Sequence, residues 1–409
     1  MKPWKSIVVY GDGKLSQPHI PTGAEKQALI VSNRLQQQLL KNSRVVQYFQ
    51  RVYPSSTWRR WLAKAVAKGY LKTVVHCNKP QYRIALSYFF LRISKKLGCF
   101  ENPAQSRQNS ICDALGEPCI VIGASSSVAP FLVATKYRYK SCKTVQVMHP
   151  RCNTDLFDAV ISPKHDIVYQ KYNKGNWIPT TLSLHELSPE YLKRTREITI
   201  CQYPFLASVV KFVILIGGPR HRWQNIYYYS YPPYKSIVRF VDSLWQAMNK
   251  ISPQNYLLLV TVSNRTPPRV GQFLYQQLEK HFGKDRLWFY DPKQQQDSFN
   301  PYHQYLSVAD YILVTSESVN MISEALSCKR PVYVYDLFDA ESPLFSSRRL
   351  RLFLDNLMEC GWIIPFQGIF HIPYSLEHNK EMQEKEEEIA KKEDEFVISS
   401  LLRHLGEIP

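Results

Sequence analysis

Short apolar runs alternate along the chain with longer segments in which apolar residues recur at helical spacing. Runs such as Ser6–Tyr10 and Phe212–Ile216 are strand-length and rich in β-branched residues, as strands buried on both faces of a sheet are. The segments between such runs, for example Glu25–Leu40 and Tyr234–Ile251, have the spacing of helices that bury one face. Strands that alternate with helices predict an α/β fold built on parallel sheets.

The alternation occurs twice, in two consecutive series. The predicted strands are 6–10, 44–48, 119–122, 144–148 and 159–162 in the first series, and 211–216, 256–262, 287–290, 311–315 and 331–335 in the second. The predicted helices are 25–40, 56–72, 82–97 and 127–137, then 234–251, 269–282, 301–307 and 319–327. We therefore predict two doubly wound domains, residues 1–190 and 191–375, with a connector at 184–206 and a charged helical segment at 376–409.

The net charge is +18, and nearly all of it lies in the first quarter of the chain. Residues 1–100 contain 18 Lys and Arg but only Asp12 and Glu25 as acids, a net charge of +16. The rest of the chain, with 34 basic and 32 acidic residues, is nearly neutral. An anionic partner would therefore bind the N-terminal domain.

The remaining composition narrows the class of protein. Hydrophobic residues make up 44% and charged residues 21%, which excludes a disordered chain. Nine cysteines are scattered without a CxxC pair or metal-ligand spacing, which favours reduced thiols in a cytoplasmic protein over disulfides or a metal site. Every apolar run is far shorter than the roughly 20 residues of a membrane-spanning helix, so membrane association would be peripheral, on the cytoplasmic face.

Four strand ends carry loops suited to ligands, because open parallel sheets bind ligands at the carboxyl ends of their strands. Gly11-Asp12-Gly13-Lys14 places a carboxylate after the first strand, although a plain turn would look the same. Gly217-Gly218-Pro219-Arg220 lacks the third glycine of a dinucleotide fingerprint but could offer free amides to a phosphate. The loop at 261–268 combines hydroxyls with Arg265 and suits an anion, although an exposed loop would look similar.

The fourth loop is the most informative. Residues 309–325 run from a strand through a hydroxyl-rich turn into a helix, whose first amides can hold a diphosphate. Glu324, further along that helix, can reach the two hydroxyls of a ribose. In the alternative interpretation, Ser316 and Ser318 only cap the helix and Glu324 is a surface residue. We predict nucleotide binding by eight residues: Gly217, Gly218, Arg265, Thr315, Ser316, Ser318, Met321 and Glu324.

Candidates for a general base lie in the N-terminal domain. Asp12 is the first choice because it ends the first strand. His165 is the second: it follows a strand and precedes Asp166, and histidine titrates near neutrality, but a structural role explains it equally well. His149 ends another strand and ranks after His165 among the histidines.

The second predicted helix combines aromatic and basic residues. Trp58, Trp61 and Tyr70 can share one broad apolar side, while Arg60 and Lys64 fall on other faces. This pattern is typical of a helix lying on an anionic bilayer, and equally of a helix that packs its apolar side on the sheet. Since no nucleic-acid-reading module is recognisable, we expect no nucleic-acid partner.

These motifs resemble, in order, those of the mitochondrial-fission-protein-like family of bacteria and plants. The matching motifs are Asp12-Gly13-Lys14, His149-Pro150-Arg151, Pro163-Lys164-His165-Asp166, Gly217-Gly218, Ser263-Asn264-Arg265-Thr266-Pro267, Asn300-Pro301-Tyr302 and the segment 309–334. The chain departs from the family at Glu317-Ser318-Val319-Asn320-Met321, where Asp-Ser-Val-Ser-Met is usual, and at Ser263-Asn264-Arg265-Thr266, where Ser-Arg-Arg-Thr is usual.

The resemblance implies the GT-B class of glycosyltransferases, with two Rossmann-like domains facing a cleft. In that class an acidic residue, here Glu324, holds the nucleotide ribose, the Gly-Gly turn lies near the phosphates, and Asp12 or His165 would act as base. It further implies a nucleotide-sugar donor, a cell-envelope or lipid-linked acceptor, and no cofactor or metal ion. The plant relative implies an alternative, a non-catalytic adaptor that binds a dynamin-like GTPase.

Overall fold

A computed structural model describes residues 4–12, 23–39, 45–54, 56–100, 115–166, 168, 175–218, 234–251, 255–294, 300–337, 348–370 and 395–408. The chain divides into two compact units. The first unit comprises Met1–His185 together with Lys391–Pro409, and the second unit comprises Glu186–Ala390.

The first unit contains a parallel six-stranded sheet. Its strands are β1 (Ser6–Gly11), β2 (Val46–Arg51), β3 (Cys119–Ala124), β4 (Cys142–Val147), β5 (Ala159–Pro163) and β6 (Trp177–Thr180). They are ordered β2-β1-β3-β4-β5-β6. Because β1 lies between β2 and β3, the sheet grows first to one side of β1 and then to the other. The β1/β3 boundary is therefore a topological switch point.

Helices cover the faces of this sheet. They are α1 (Gly23–Leu39), α2 (Thr57–His76), α3 (Pro80–Lys96) and α4 (Ala129–Arg138). On one face, Tyr70, Phe90 and Phe131 form an aromatic core against the sheet, with the rings of Tyr70 and Phe90 stacked 4.3 Å apart. On the other face, Leu35 of α1 packs against Ile7 of β1.

The second unit repeats this plan. Its strands are β7 (Val210–Ile216), β8 (Tyr256–Val262), β9 (Leu287–Tyr290), β10 (Tyr311–Thr315), β11 (Val332–Tyr335) and β12 (Ile364–Pro365). They are all parallel, in the order β12-β11-β10-β7-β8-β9. The sheet grows from β7 through β8 to β9 and then resumes on the other side with β10, so its switch point is the β7/β10 boundary.

The second unit has six described helices. They are α5 (Pro189–Gln202), α6 (Tyr234–Ile251), α7 (Pro268–Phe282), α8 (Tyr302–Val308), α9 (Val319–Leu326) and α10 (Arg348–Glu359). Short 3-10 turns occupy Thr154–Leu156 in the first unit, and Pro204–Ala207 and Lys284–Arg286 in the second. None of the helices in the described part of the chain combines the length and the apolar character that crossing a bilayer requires.

The predicted connector at 184–206 contains the boundary between the two units, after His185, and most of it is the helix α5. A Ser-Pro pair begins this helix: Ser188 Oγ accepts a hydrogen bond from the Tyr191 amide at 3.1 Å, and Pro189 occupies the first helical position, where no N–H is needed. The predicted domain boundary at residue 190 therefore falls inside α5.

The C-terminal helix, α11 (395–405), returns to the first unit. Val397, Leu401 and Leu405 are buried in the same core as Ile7 and Leu35. Most of the predicted charged segment at 376–409 precedes α11 and lies outside the described residues. The predicted fold class is confirmed: two parallel sheets, each flanked by helices, form two doubly wound units.

Candidate functional site

Asp12 follows β1 directly, at the switch point of the first unit. Its side chain is only 2% exposed. Its backbone carbonyl accepts a hydrogen bond from Arg60 Nη2 at 2.8 Å, and its carboxylate Oδ2 accepts one from Ser127 Oγ at 3.2 Å. Ser127 lies in the turn after β3, so the two sides of the switch point meet at Asp12. Gly13 and Lys14 lie outside the described residues.

A second buried carboxylate, Glu25, was not predicted as a site residue. It lies in the first turn of α1, is 2% exposed, and forms an ion pair with Arg51 at 3.6 Å. Gly11 makes room for it, since a Cβ on Gly11 would collide with the Glu25 carboxylate and lie 2.8 Å from the Phe49 ring. Asp12 and Glu25 are the only acids of the first 100 residues, and that scarcity was the available signal.

Arg60 connects these charges electrostatically. Burial lowers the pKa of Arg60, whereas the negative charges of Asp12 and Glu25 raise it. A guanidinium remains protonated under such opposing effects, because its ordinary pKa is far above neutrality. Two carboxylates and two guanidiniums, those of Arg51 and Arg60, thus compensate each other at the carboxyl ends of β1 and β2.

The two predicted bases are not brought together. His165 and Asp166 are both buried in the turn after β5. Because β3 and β4 separate β5 from β1, about 14 Å of sheet lies between the ends of β1 and β5 at a strand spacing of about 4.8 Å. His149, after β4, accepts the Arg151 amide on Nδ1 at 2.9 Å, which places its proton on Nε2 and leaves Nδ1 occupied.

In the second unit, Gly217 and Gly218 let three strand ends approach closely. A Cβ on Gly217 would lie 2.5 Å from the Glu317 carboxylate, and one on Gly218 would lie 2.5 Å from the backbone carbon of Arg265. The Gly217 amide is not available to a phosphate, because it donates to Thr315 Oγ1 at 2.8 Å. Pro219 and Arg220 lie outside the described residues.

Thr315 joins the two sides of this switch point. Its hydroxyl accepts from the amide of Gly217, which follows β7, and donates to Glu317 Oε1 at 2.7 Å. On the β8 side, Thr266 Oγ1 donates to the Gly217 carbonyl at 2.9 Å. Thr315, Glu317 and Thr266 are all buried. Glu317 was not predicted as a site residue, and its burial depends on the glycine facing it.

The start of α9 carries the predicted hydroxyls. Ser316 and Ser318 are buried, and Ser316 Oγ donates to Asp336 Oδ1 at 3.3 Å. Ser318 occupies the position before the helix but makes no capping hydrogen bond with its side chain. The structure therefore does not support capping as the explanation for Ser318. Met321 lies in the first turn of α9 and is half-buried.

Glu324, one turn further along α9, is held by a tyrosine that was not assigned to the site. Tyr302 Oη donates to Glu324 Oε2 at 2.5 Å. Burial raises the pKa of Tyr302 well above its usual value, and the charge of Glu324 raises it further. Tyr302 consequently remains protonated as a donor, and the half-buried Glu324 remains an oriented acceptor.

Two basic residues lie at the loops after β8 and β9. The Arg265 amide donates to Ser263 Oγ at 3.2 Å, and its side chain is half-buried. Lys293 Nζ donates to the Thr266 carbonyl at 2.8 Å, while its amide donates to the buried carboxylate of Asp291 at 2.9 Å. Within the described ranges, no three His, Cys, Asp or Glu side chains cluster as a metal ion would require.

Comparison with solved structures agrees with this architecture. Trehalose 6-phosphate synthase from Burkholderia multivorans superimposes with a TM-score of 0.50 and 9% identity over 98% of each chain. A glycosyltransferase from Rickettsia africae gives a TM-score of 0.46 and 11% identity, covering 98% of this chain and 97% of that one. At such identities the likeness concerns the fold alone.

Sequence comparison identifies the family. An uncharacterized protein of Rickettsia prowazekii is 25% identical over 307 residues, 68% of this chain and 80% of that protein. The mitochondrial fission protein ELM1 of Arabidopsis thaliana is 25% identical over 209 residues, 46% of this chain and 44% of that one. The model of the mitochondrial fission ELM1 family matches residues 22–392. This chain belongs to that family, and its two units have the fold class of GT-B glycosyltransferases.

Proposed function

We propose that the second unit binds a nucleotide-sugar donor and that the protein transfers the sugar to an acceptor hydroxyl. One observation carries the proposal: at the switch point of the second sheet Gly218 packs on Arg265 and Gly217 on Glu317, and the helix that carries Glu324 begins directly after them. Doubly wound sheets bind nucleotides at this position, because loops diverge there and leave a crevice above the strand ends.

The start of α9 would hold the diphosphate. The first amides of a helix have no partner within the helix and carry its partial positive charge, which attracts anions. The hydroxyls of Ser316 and Ser318 lie at this helix start, and Arg265 follows β8, which β7 separates from β10 in the sheet. These groups would neutralise the departing diphosphate, so the proposed reaction uses neither a metal ion nor a cofactor.

Glu324 would accept hydrogen bonds from the ribose hydroxyls. Tyr302 already fixes one of its oxygens, and a preoriented carboxylate loses less rotational freedom when the ligand binds. A charged acceptor also makes stronger hydrogen bonds to hydroxyls than a neutral one does. This arrangement favours a nucleoside ligand over a free sugar.

Asp12 is the proposed base. The acceptor hydroxyl must lose its proton as the new glycosidic bond forms, and a positioned carboxylate can take it. Arg60 and Ser127 hold Asp12 in place through its carbonyl and its carboxylate. His165 remains the second candidate, since it ends a strand of the same sheet.

Titration calorimetry with UDP, GDP, ADP and CMP tests the donor site. We expect one of these nucleotides to bind, and Glu324→Gln to weaken that binding. Glu359→Gln is the matched control, because Glu359 is an exposed acid of the same unit. Failure of every nucleotide to bind at millimolar concentration would contradict the proposal.

A non-catalytic adaptor is the second candidate function. The glycines at 217 and 218 are explained by close packing alone, as they would be in a scaffold without a ligand. Such an adaptor would bind a dynamin-like protein. It predicts that Asp12→Ala, His165→Ala and Glu324→Ala each preserve the cellular phenotype, whereas a transferase would lose it in the Asp12 and Glu324 variants.

We also propose a peripheral location on the cytoplasmic face of a membrane, with a cell-envelope or lipid-linked acceptor. The support is the charge of +16 on the first 100 residues. Near an anionic leaflet each basic residue contributes about 1 kcal/mol. An acceptor carried by the membrane would then lie close to the first unit.

A further inference from the structure

The helices α2 and α3 form an outer layer of the first unit that lacks acidic residues. Together they contain nine Lys and Arg and no Asp or Glu, and no acid occurs anywhere from Lys26 to Phe100. Arg60 and Arg83 are engaged internally, with Asp12 and with Cys77 and Tyr137. Six basic residues of the two helices are exposed: Arg59, Lys68, Lys72, Arg92, Lys95 and Lys96.

Large apolar side chains are exposed on the same two helices. Trp61 is 72% exposed, Trp58 64% and Phe89 62%, and Tyr82, Ile84 and Tyr88 are exposed as well. These exposed side chains do not belong to the core of the unit, because other positions of the two helices face the core. On α2 these are Ala63, Ala67, Tyr70 and Val74, and on α3 they include Phe90. The predicted common side of Trp58, Trp61 and Tyr70 is therefore wrong: only Tyr70 faces the core.

The two helices run antiparallel, which makes their exposed sides one layer. Tyr70, late in α2, stacks on Phe90 and hydrogen-bonds Ser87 at 2.6 Å. At the turn between the helices, Arg83 Nε donates to the Cys77 carbonyl at 2.6 Å. Aromatic and basic side chains are thus interspersed on both members of a packed helix pair.

We propose that this layer, the α2–α3 surface, docks on an anionic lipid bilayer and inserts its aromatic side chains at the headgroup level. The inference deepens the proposed peripheral location and rests on it. Aromatic residues favour the bilayer interface and basic residues favour its anionic headgroups. Neither helix carries an acidic residue that the anionic headgroups would repel, so every charge on α2 and α3 favours binding.

Single-stranded nucleic acid is the other partner that aromatic and basic residues suit. The lipid surface is favoured because base stacking gains nothing from an aliphatic side chain such as Ile84, whereas an interfacial helix does. Each basic residue held close to an anionic leaflet strengthens binding about fivefold. Added salt weakens this contribution, because it shortens the Debye length, which is about 8 Å at physiological ionic strength.

The α2–α3 surface begins beside the proposed base. Trp58, Trp61 and Arg60 share the first turns of α2, and Arg60 contacts the carbonyl of Asp12. Docking of the exposed tryptophans would therefore bring the lipid headgroups near the carboxyl end of β1. A hydroxyl on a lipid-linked acceptor would reach Asp12 from that side.

Vesicle sedimentation of the full chain tests the inference. The probes are vesicles of phosphatidylcholine alone and of phosphatidylcholine mixed with phosphatidylglycerol, at low and high salt. We expect binding only to the mixed vesicles, weakened by salt. Combining Trp58→Ser, Trp61→Ser and Phe89→Ser should reduce it about tenfold or more. Combining Phe205→Ser and Ile198→Ser, exposed apolar residues of the second unit, should leave it unchanged.

Charge-reversal variants test the electrostatic adsorption of the protein, and quenching by brominated lipids tests the insertion of its tryptophans. Arg59→Glu with Lys68→Glu and Lys72→Glu should abolish binding, while Lys193→Glu with Lys280→Glu, exposed lysines of the second unit, should reduce it much less. Arg60 and Lys64 are left intact, because Arg60 holds Asp12 and Lys64 lies over the Tyr53 ring at 5.7 Å. Brominated lipids should quench the tryptophan fluorescence of the wild-type protein.

The outcomes distinguish a failure of the α2–α3 surface from a failure of the proposed peripheral location or of the proposed donor site. Binding that survives the serine variants, or that occurs without quenching, overturns the assigned surface but keeps a peripheral location. Equal binding to both kinds of vesicle, or to neither, overturns both. Capture of single-stranded RNA in place of vesicles also overturns the inference. Nucleotide titration of the same variants should be unchanged, so the donor site is judged separately.

Discussion

The two units share a topology but differ in the chemistry at their switch points. At the β1/β3 boundary the first unit holds a buried network of charges, with Asp12 and Glu25 compensated by Arg51 and Arg60. At the β7/β10 boundary the second unit holds glycines and hydroxyls around the buried carboxylate of Glu317.

Under the proposed function, this difference would assign proton transfer to the first unit and donor binding to the second. A network of compensated charges can hold a carboxylate ready to take a proton, whereas a turn of glycines and hydroxyls lets backbone amides approach an anion closely. The net charge of the sequence around the two switch points also differs. Basic residues dominate the first unit, and the rest of the chain is almost neutral.

The strongest test of the comparison removes the proposed base. Asp12→Asn should reduce kcat by about 10²–10⁴-fold, the range of general-base catalysis, and leave the affinity for the donor nucleotide unchanged. Steady-state kinetics on an identified acceptor and calorimetry measure the two effects. Asp155→Asn, at an exposed acid of the same unit, is the control. Normal turnover in Asp12→Asn would show that the charged switch point is not the proton-handling one.

The next test breaks the close approach in the second unit. Gly218→Ala places a methyl group against the backbone of Arg265 and Thr266, at 2.5 and 2.7 Å. Since backbone atoms cannot yield as a side chain would, we expect the free energy of unfolding to fall by about 1–3 kcal/mol. Urea denaturation followed by fluorescence measures it.

Gly69→Ala is the control for that substitution. Gly69 lies within α2 with no atom near its added methyl group, so alanine should stabilise the protein by about 0.5–1 kcal/mol. Equal effects of the two substitutions would mean that the second switch point is not closely packed.

A smaller effect is expected from the hydroxyl that joins the strand ends. Thr315→Val keeps the shape of the side chain but leaves the Gly217 amide and the Glu317 carboxylate each without this partner. Loss of such buried bonds should cost about 1–3 kcal/mol of stability, partly offset by relaxation. Thr315→Ser retains the hydroxyl and should restore most of the loss. Identical denaturation curves for the valine and serine variants would refute the bridging role.

The smallest effect concerns the orientation of Glu324. Tyr302→Phe removes its donor, and we expect nucleotide affinity to fall by up to about tenfold, or roughly 1 kcal/mol. Because the pKa of Tyr302 is raised, the wild-type hydrogen bond should persist as the pH rises towards the ordinary tyrosine pKa of about 10. Calorimetry at neutral and alkaline pH checks both points. A matching loss of affinity in Tyr275→Phe would argue against a specific role.

The sheets were predictable because parallel strands buried on both faces are nearly continuous apolar runs. β8, β9 and β10 have the predicted bounds for this reason. β6 was not predicted, because its four residues include Pro179 and it lies at the sheet edge. The helix α5 was missed because a Ser-Pro pair begins a helix as readily as a loop.

The site was only partly predictable, because its members come from distant parts of the chain. Residues 309–325 could be interpreted locally, since strand, turn and helix are consecutive. The fold alone brings Glu25 and Asp12 close enough to raise the pKa of Arg60, and Tyr302 reaches Glu324 from another helix. Exposure of Trp58 and Trp61 was also undetermined, because alanines can form the packed side of a helix as well as aromatic residues can.

The return of α11 to the first unit has a consequence for the order of synthesis. The strands of the first sheet end at Thr180, yet the leucines of α11 that cover one of its faces come after the whole second unit. Translation at about 5–20 residues per second leaves that face packed against α1 but still without α11 for on the order of ten to forty seconds. The unit made first therefore completes its core last, and the later-made unit is free to fold before it.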